Sequence, residues 1–455
     1  MPRTLLLAVA LALCAGALTA GEPARPNILI IMADDLADWH LGCYGNKEIK
    51  TPHIDKFAAD GTRMANSFCA TPICSPSRAT FFTGRLPRQH GIYDFLGKPI
   101  PEPPQAQAAP PPSFKNEPMI SDVFAAAGYT CGYIGKWHMG DDRVPQHNYS
   151  FWYSLAAGGS APYRDPSISL NGKHVEETGY VPEIFTARAL EYIREKREKP
   201  WLLVVSYTNP HTPYEGHPQK YYDMYFGCRF ETFGIEPPAP NLLREGSMMK
   251  EPLLNLRKAA AATTALDDQI PPLLKALDDS GQRRNTLVMF TADNGYLYGR
   301  HGAWSKGHAT NPINMYEEVI RVPMIYQYPE KLQPGRVIEQ FVSFYDVLPT
   351  LCDAAGIQPP QDRRLVGRSY WPVLLGEHVQ WDNSVYCTFR NTECLRDERY
   401  KIVLRNSAAG PNELFDLKED PREKKNIFGL NESAPIRERM IRKLSAWMEK
   451  NTPGN

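Results

Sequence analysis

Four short apolar runs constrain the fold of this chain more than anything else in it. They are Asn27 to Ala33 (NILIIMA), Cys131 to Ile134, Trp201 to Tyr207 (WLLVVSY) and Thr286 to Ala292 (TLVMFTA). A run that is apolar at consecutive positions needs cover on both faces, as a strand inside a parallel sheet has. Pro323 to Tyr326 reads as a fifth such strand. Helical patterns lie between the runs. Pro118 to Ala127 ends at Gly128, a good left-handed stop. Glu183 to Lys199 is amphipathic and ends before Pro200. Arg257 to Asp279 has helical spacing, but Pro271 and Pro272 predict two helices or a kink. This alternation predicts an α/β fold with a large mixed, mostly parallel sheet flanked by helices.

Such sheets bind ligands beyond the carboxyl ends of their strands. The residues that leave the runs are Asp34-Asp35, Gly135-Lys136-Trp137-His138, Asn209-Pro210-His211 and Asp293-Asn294. Loops are polar in general, and that accounts for one or two of these groups. It does not account for carboxylates, an amide, a lysine and two histidines spread over all of them.

Near residue 376 the pattern changes. Ser384 to Arg390, Tyr400 to Arg405 and Glu413 to Leu417 read as short antiparallel strands, and Ile436 to Lys450 as a closing amphipathic helix. The expected division is an α/β catalytic domain over 21–375 and a smaller C-terminal α+β subdomain with a short antiparallel sheet over 376–455. Seven prolines between Pro99 and Pro112 read as an extended surface insertion.

At the start of the chain, Arg3 precedes the apolar stretch Leu5 to Leu13, and small residues follow through Ala20. That order predicts a signal peptide over 1–20, cleaved between Ala17 and Gly21, and hence export to a periplasm or to the outside, or to a lysosome in a eukaryote. Cys14 has no small residue just before it, which argues against a lipoprotein anchor. No internal apolar run reaches the roughly 18 residues of a membrane-spanning helix, so no integral membrane segment is expected after cleavage. Lysine plus arginine is 51 and aspartate plus glutamate is 51, so no global charge favours nucleic acid. No CxxC pair supports a zinc ribbon, while Cys387 and Cys394 are placed to form a local bridge if the chain is exported. Asn148 and Asn431 open glycosylation sequons, meaningful only in a eukaryotic secretory route.

The stretch Cys74-Ser75-Pro76-Ser77-Arg78, continued by Ala79 to Arg85, carries the functional reading. It resembles the C-x-P-S-R signature of type I sulfatases, which belong to the alkaline phosphatase superfamily. Gly128 to His138 resembles a second family stretch, and Glu413 to Leu417 with Asp420-Pro421 is similar to the family's C-terminal subdomain. The resemblance runs over nearly all of the mature chain. It implies that a separate maturation enzyme oxidises Cys74 to formylglycine. It implies an alkaline-phosphatase-like sheet and a sulfated substrate, with one divalent cation, calcium rather than magnesium, held by Asp34, Asp35, Asp293, Asn294 and the modified Cys74. Oxygen-only ligands suit those hard cations and not zinc. By the same resemblance Arg78 holds the formylglycine, and Lys136 and Lys306 bind the sulfate. His138 hydrogen-bonds the hydrated aldehyde and His211 protonates the leaving alkoxide. Histidine exchanges protons near neutral pH, which fits both tasks.

The chemistry explains the need for an aldehyde. A serine attacking sulfur would be left as a sulfate ester with no easy exit. A geminal diol attacks with one hydroxyl and uses the other to expel sulfate. Near the motifs, His301, His308, Trp137 and Arg300, with His40, Trp304 and Glu215, are placed either to shape the substrate pocket or to take a packing or surface role, His301 and His308 lying nearest Lys306 in sequence. Aromatic neighbours and export suit a carbohydrate sulfate. The rival readings are a phosphatase or phosphodiesterase of the same superfamily, and an inactive, exported glycan-binding homologue. The cysteine motif and the oxygen-only ligands oppose the first, and the complete set of candidate catalytic residues opposes the second.

Overall fold

The computed structural model of the protein describes residues 25–97, 107–156, 158–160, 162–243, 246–361, 364–406 and 409–452. The segment 1–20, expected to be a signal peptide, and most of the proline-rich insertion lie outside the described residues. The main sheet has ten strands: β1 (Asn27–Ala33), β2 (Thr62–Phe68), β3 (Thr130–Gly135), β4 (Phe151–Leu155), β5 (Ser167–Leu170), β6 (Lys173–Glu176), β7 (Trp201–Ser206), β8 (Thr286–Ala292), β9 (Met324–Gln327) and β10 (Arg336–Ser343). Their order is β10-β2-β9-β8-β1-β7-β3-β4-β5-β6. The expected α/β class with a mostly parallel sheet is the one observed.

β1 shows why the runs are apolar at every position. Ile28, Ile30 and Met32 enter one hydrophobic cluster, and Leu29, Ile31 and Ala33 enter the other, on the opposite face. β1 pairs in parallel with β7 and β8, and β7 pairs in parallel with β3. The register sets Met32 against Ser206, Ala33 against Ala292 and Gly135 against Ser206. Asp34, Asp293 and Lys136 therefore leave the sheet at one level.

The fifth run is corrected in direction. β9 pairs antiparallel with both β8 and β2. Only the four-residue helix Glu317–Ile320 lies between the end of β8 and β9, apart from one 3-10 turn at Arg300–Gly302. No crossover carries the chain back to the other edge, so the next strand must run in reverse. β2, β4, β5, β6 and β10 were not legible as apolar runs. β10 and β6, at the two edges, alternate buried and exposed positions or are largely exposed.

The pattern at Arg257 to Asp279 resolves as two helices, Pro252–Asp267 and Ile270–Asp279. Pro271 and Pro272 sit in the first turn of the second, where a missing N–H breaks no helical bond. The C-terminal sheet runs in the order of its strands: β11 (Val385–Phe389), β12 (Thr392–Arg396), β13 (Tyr400–Arg405) and β14 (Glu413–Asp416). β12 was not read from the sequence. One face of this sheet, with Cys387, Cys394 and Val403, joins the main core. The other packs Leu395, Ile402 and Leu414 against Met440 and Leu444 of the helix Ala434–Lys450. Cys387 and Cys394 stand opposite each other across β11 and β12, and both are free thiols rather than the expected bridge. No helix among the described residues is long and apolar enough to cross a membrane.

Gly135 joins β3 to the loop that carries Lys136. Its φ is +104°, and a Cβ there would lie 1.9 Å from the Ser206 carbonyl oxygen. Gly135→Ala is expected to cost about 2–4 kcal/mol through backbone strain and a forced strand separation. Urea unfolding measures it, and a loss under about 0.5 kcal/mol would contradict this reading of the β3–β7 contact.

Candidate active site

Cys74 begins the helix Cys74–Thr83, all ten residues of which are buried. Ile73 before it is extended, Pro76 falls in the first turn, and Gly84 ends the helix in the left-handed conformation at φ 67°. The Ser77 hydroxyl donates to the Asp293 carbonyl at 2.5 Å, so the helix start is bound to the end of β8. Backbone N–H groups at a helix N-terminus favour an anion, and that end faces the strand ends.

The backbone ties those ends together. Asp34 N–H donates to Asn209 O at 2.9 Å, Asp293 N–H to Ala33 O at 3.1 Å and Lys136 N–H to Ser206 O at 3.0 Å. On this base the side chains form one buried network. Arg78 Nε donates to Asp293 Oδ2 at 2.9 Å, and its NH1 donates to Lys136 O and Ser206 Oγ, each at 2.8 Å. Lys136 Nζ lies 2.7 Å from Asp34 Oδ2 and 3.5 Å from Cys74 Sγ. Lys306 Nζ donates to Asp35 Oδ1 and lies 2.8 Å from Cys74 Sγ. Asp34 Oδ1 is 3.8 Å from the same sulfur. The ligand atoms of Asp34, Asp35, Cys74 and His211 all fall within 4.8 Å of one another.

Asp35 N–H donates to Asp293 Oδ1 at 3.1 Å, and Asn294 Nδ2 donates to Asp35 Oδ1 at 2.8 Å. Asn294 Oδ1 is buried without a hydrogen-bond donor. An orphaned amide oxygen beside three clustered carboxylates is a donor set that fits a hard divalent cation.

The charges shape the titration of the site. Burial alone would raise the Cys74 thiol, but the ammonium groups of Lys136 and Lys306 bring it down to about 7. Burial pushes Asp34 up to about 7 against the pull of Lys136. Burial also acts on Asp293, but Arg78, Lys136 and Lys306 hold it well below the usual carboxylate range. Burial would lower His211, but Asp34 and Asp35 raise it to about 9. His211 Nδ1 donates to Thr212 O at 2.5 Å, which leaves Nε2 toward Asp35 Oδ2 at 3.6 Å. Burial and then Lys136 push His138 down to about 3. His138 Nε2 donates to Leu96 O at 2.8 Å, and its Nδ1 is buried without a hydrogen-bond partner.

The candidate pocket-shaping residues lie in different surroundings, and several of them take the packing role. Trp137 is 1% exposed and packs on Tyr133 and Trp152 at 5.1 and 5.2 Å, so it is core. His301 stacks on Tyr316 at 3.6 Å and donates to Glu318 Oε2 at 3.1 Å. Arg300 lies over the Trp39 ring at 3.6 Å and also pairs with Glu318. Neither contacts the network around Cys74. His308 is buried, with its ring 5.9 Å from that of Phe95. Trp304 is fully buried and donates to Tyr214 Oη at 3.2 Å, Glu215 pairs with Lys258, and His40 packs between Trp39 and Tyr298. Sequence reasoning missed Ser206 and Tyr298. Ser206 is the polar residue that closes an apolar strand, which is a readable signal for its bond to Arg78. The Tyr298 hydroxyl donates to Asp35 O at 3.1 Å, and nothing in the sequence marks it.

The thiolate is the reactive form of a cysteine, and its fraction grows as pH rises through the pKa. In the unmodified, metal-free chain, alkylation of Cys74 is therefore expected to rise through about pH 7, while an ordinary thiol rises at 9.0. Lys306→Met should move that midpoint upward. Quantitative peptide mapping reads it, and a Cys74 midpoint at or above the ordinary value would contradict the role of the two lysines.

Comparison with known proteins places this chain in a family. The family model described as Sulfatase matches residues 26–357, and that described as N-sulphoglucosamine sulphohydrolase, C-terminal, matches residues 300–450. An N-acetylglucosamine-6-O-sulfatase of Bacteroides thetaiotaomicron is 27% identical, over 97% of this chain and 90% of its own. An N-acetylgalactosamine-6-sulfatase of Rattus norvegicus is 29% identical, over 83% of this chain and 70% of its own. Among solved structures, the putative sulfatase yidJ of Bacteroides fragilis superposes with a TM-score of 0.80 at 27% identity, covering 95% of this chain and 98% of that one. The chain belongs to the sulfatase family of sulfuric ester hydrolases.

Proposed function

We propose that the protein hydrolyses a sulfate ester on a sugar, with Cys74 matured to formylglycine as its nucleophile. The observation that carries this reading is the position of Cys74 Sγ, which faces Lys136, Lys306 and Asp34 at the start of a buried helix. The sulfur occupies the place of the oxygen that a hydrated formylglycine would present. That hydrate supplies one hydroxyl to attack sulfur and a second whose deprotonation expels sulfate and restores the aldehyde. Asp34, Asp35, Asp293 and Asn294 would hold a divalent cation, calcium by its hard oxygen donors, which supplies charge neutralisation and lowers the proton affinity of the attacking hydroxyl.

The protein's own groups do the rest. Lys136 and Lys306 stabilise the charge on the transferring sulfuryl oxygens from fixed positions. Arg78 keeps residue 74 and Asp293 in place. His211, with Nδ1 bound to Thr212 O, presents Nε2 as the proton donor to the departing sugar oxygen. His138 is neutral and has an unpartnered Nδ1, so it accepts the proton whose loss resets the aldehyde. The amino-sugar 6-sulfatase names of the relatives support a sulfated sugar. The signal segment supports export, and residue 74 makes a maturation enzyme the obligatory partner.

A panel of sulfated sugars, aryl sulfates and choline sulfate tests the reading. Turnover is expected on a sugar sulfate, and Lys306→Met should lower kcat/KM by roughly a hundred- to a thousandfold. Activity confined to aryl or choline sulfate would remove the sugar, and a loss below about threefold in Lys306→Met would remove that lysine from the transition state.

A further inference from the structure

A second cavity, of about 550 Å³, lies where the segment after β1 and strand β2 meet the C-terminal sheet. No residue around Cys74 lines it. Its wall holds five arginines, Arg63, Arg300, Arg321, Arg396 and Arg422, against three carboxylates, Asp38, Glu317 and Glu318. An excess of cations in a half-enclosed space is costly unless something offsets it.

The pairing inside the cavity is uneven. Arg321 is fully used: Nε donates to Asp38 Oδ2 at 2.8 Å, and its NH groups reach Asn66 Oδ1 at 3.1 Å and Ala65 O at 2.7 Å. The other four are not. Arg300 and Arg422 share Glu318 Oε1, at 3.3 and 3.5 Å; Arg300 Nε also donates to Phe233 O at 2.9 Å and Arg422 NH2 to Glu236 Oε1 at 3.4 Å, while Arg422 Nε is buried without a hydrogen-bond acceptor. Arg396 NH1 donates to Asp397 O, but its Nε, 3.5 Å from a Glu317 that Lys401 also contacts at 3.2 Å, is buried without a hydrogen-bond acceptor. Arg63 lies over the Tyr44 ring at 4.6 Å and has no carboxylate partner among the described residues. Tight charge-assisted bonds run about 2.7–2.9 Å, so the Nε groups of Arg396 and Arg422 and the guanidinium of Arg63 are left underused. Planar forks of this kind match the oxygens of a tetrahedral anion. The Trp39 and Tyr44 rings under Arg300 and Arg63 fix two of them in place without consuming their N–H groups.

We propose that this cavity is a second anion site, which binds a sulfate group either free or carried on a sugar. The choice of an oxyanion rests on the arginines alone, and the choice of sulfate rests on the function proposed above. The site also gives Arg300 a task, away from the reacting sulfur.

Crystals of the full chain soaked in selenate and measured at the selenium edge test it. An anomalous peak is expected among Arg63, Arg300 and Arg422, and Arg63→Gln with Arg422→Gln should abolish it. If the double variant fails to fold, as judged by its melting curve, Arg63→Gln alone serves, because that side chain holds no ion pair. No peak in the parent chain, or an equal peak in Arg63→Gln, overturns the proposal. Selenate in the cavity but not beside Cys74 supports this site while counting against the catalytic reading. Retention on a column of sulfated oligosaccharide separates the two sources, with the exposed Arg194→Gln as a control of equal charge. Weaker retention of Arg63→Gln than of Arg194→Gln supports a sugar-borne sulfate. Equal retention with the selenate peak lost supports the free ion.

Discussion

The whole structure depends on a balance of charge held out of water. Asp34, Asp293, Arg78 and Lys136 have no exposed surface, and Asp35 and Lys306 have 1% and 4%. Burial of a single unpaired ion costs several kcal/mol, so three carboxylates can stay here only because three cations face them. The pairs are not local in sequence. Arg78 on a helix meets Asp293 at the end of β8, and Lys136 after β3 meets Asp34 after β1. The register of β8, β1, β7 and β3 is what holds them within reach of one another, and the tie from Ser77 to Asp293 O brings the helix of Cys74 to the same place.

That balance bears on function. The three carboxylates and the three side-chain cations offset one another, and His211, raised to about 9, adds a positive charge beside them. In the function proposed above, a divalent cation would add positive charge that a sulfate monoester and a deprotonated nucleophile offset. Fixed charges in such a pocket need no reorganisation when the reacting group changes its own, which is how a site of this kind lowers a barrier. In the function proposed above, the reset falls to different groups. His138, low in pKa and short of a partner at Nδ1, and His211, raised by two carboxylates, are pushed in opposite directions by their surroundings. Such divergence is what separates a proton acceptor from a proton donor.

Much of this arrangement was legible from the strand ends. An interior strand must be apolar on both faces, so NILIIMA, WLLVVSY and TLVMFTA announce themselves, and the polar residues that follow them must share one edge. Direction was not legible for β9, because it follows from the missing crossover and not from the residues of the strand. Nearness in sequence also misled at Arg300 and His301. Gly299, His301 and Gly302 have φ values of 91°, 54° and 63°, and this turn sends both side chains to Glu318 instead of toward Lys306. Trp137 takes the packing alternative for a related reason. It follows Lys136 directly, but its ring enters the core among Tyr133, Tyr149 and Trp152.

The central claim is that residue 74 acts as an oxidised, hydrated side chain. The most direct measurement is the mass of the peptide containing it, taken from protein made together with the maturation enzyme and set against the rate of sulfate release. The account predicts a fragment about 18 Da lighter than the cysteine form, with sulfate release in proportion to the converted fraction. An intact thiol at full turnover would contradict it.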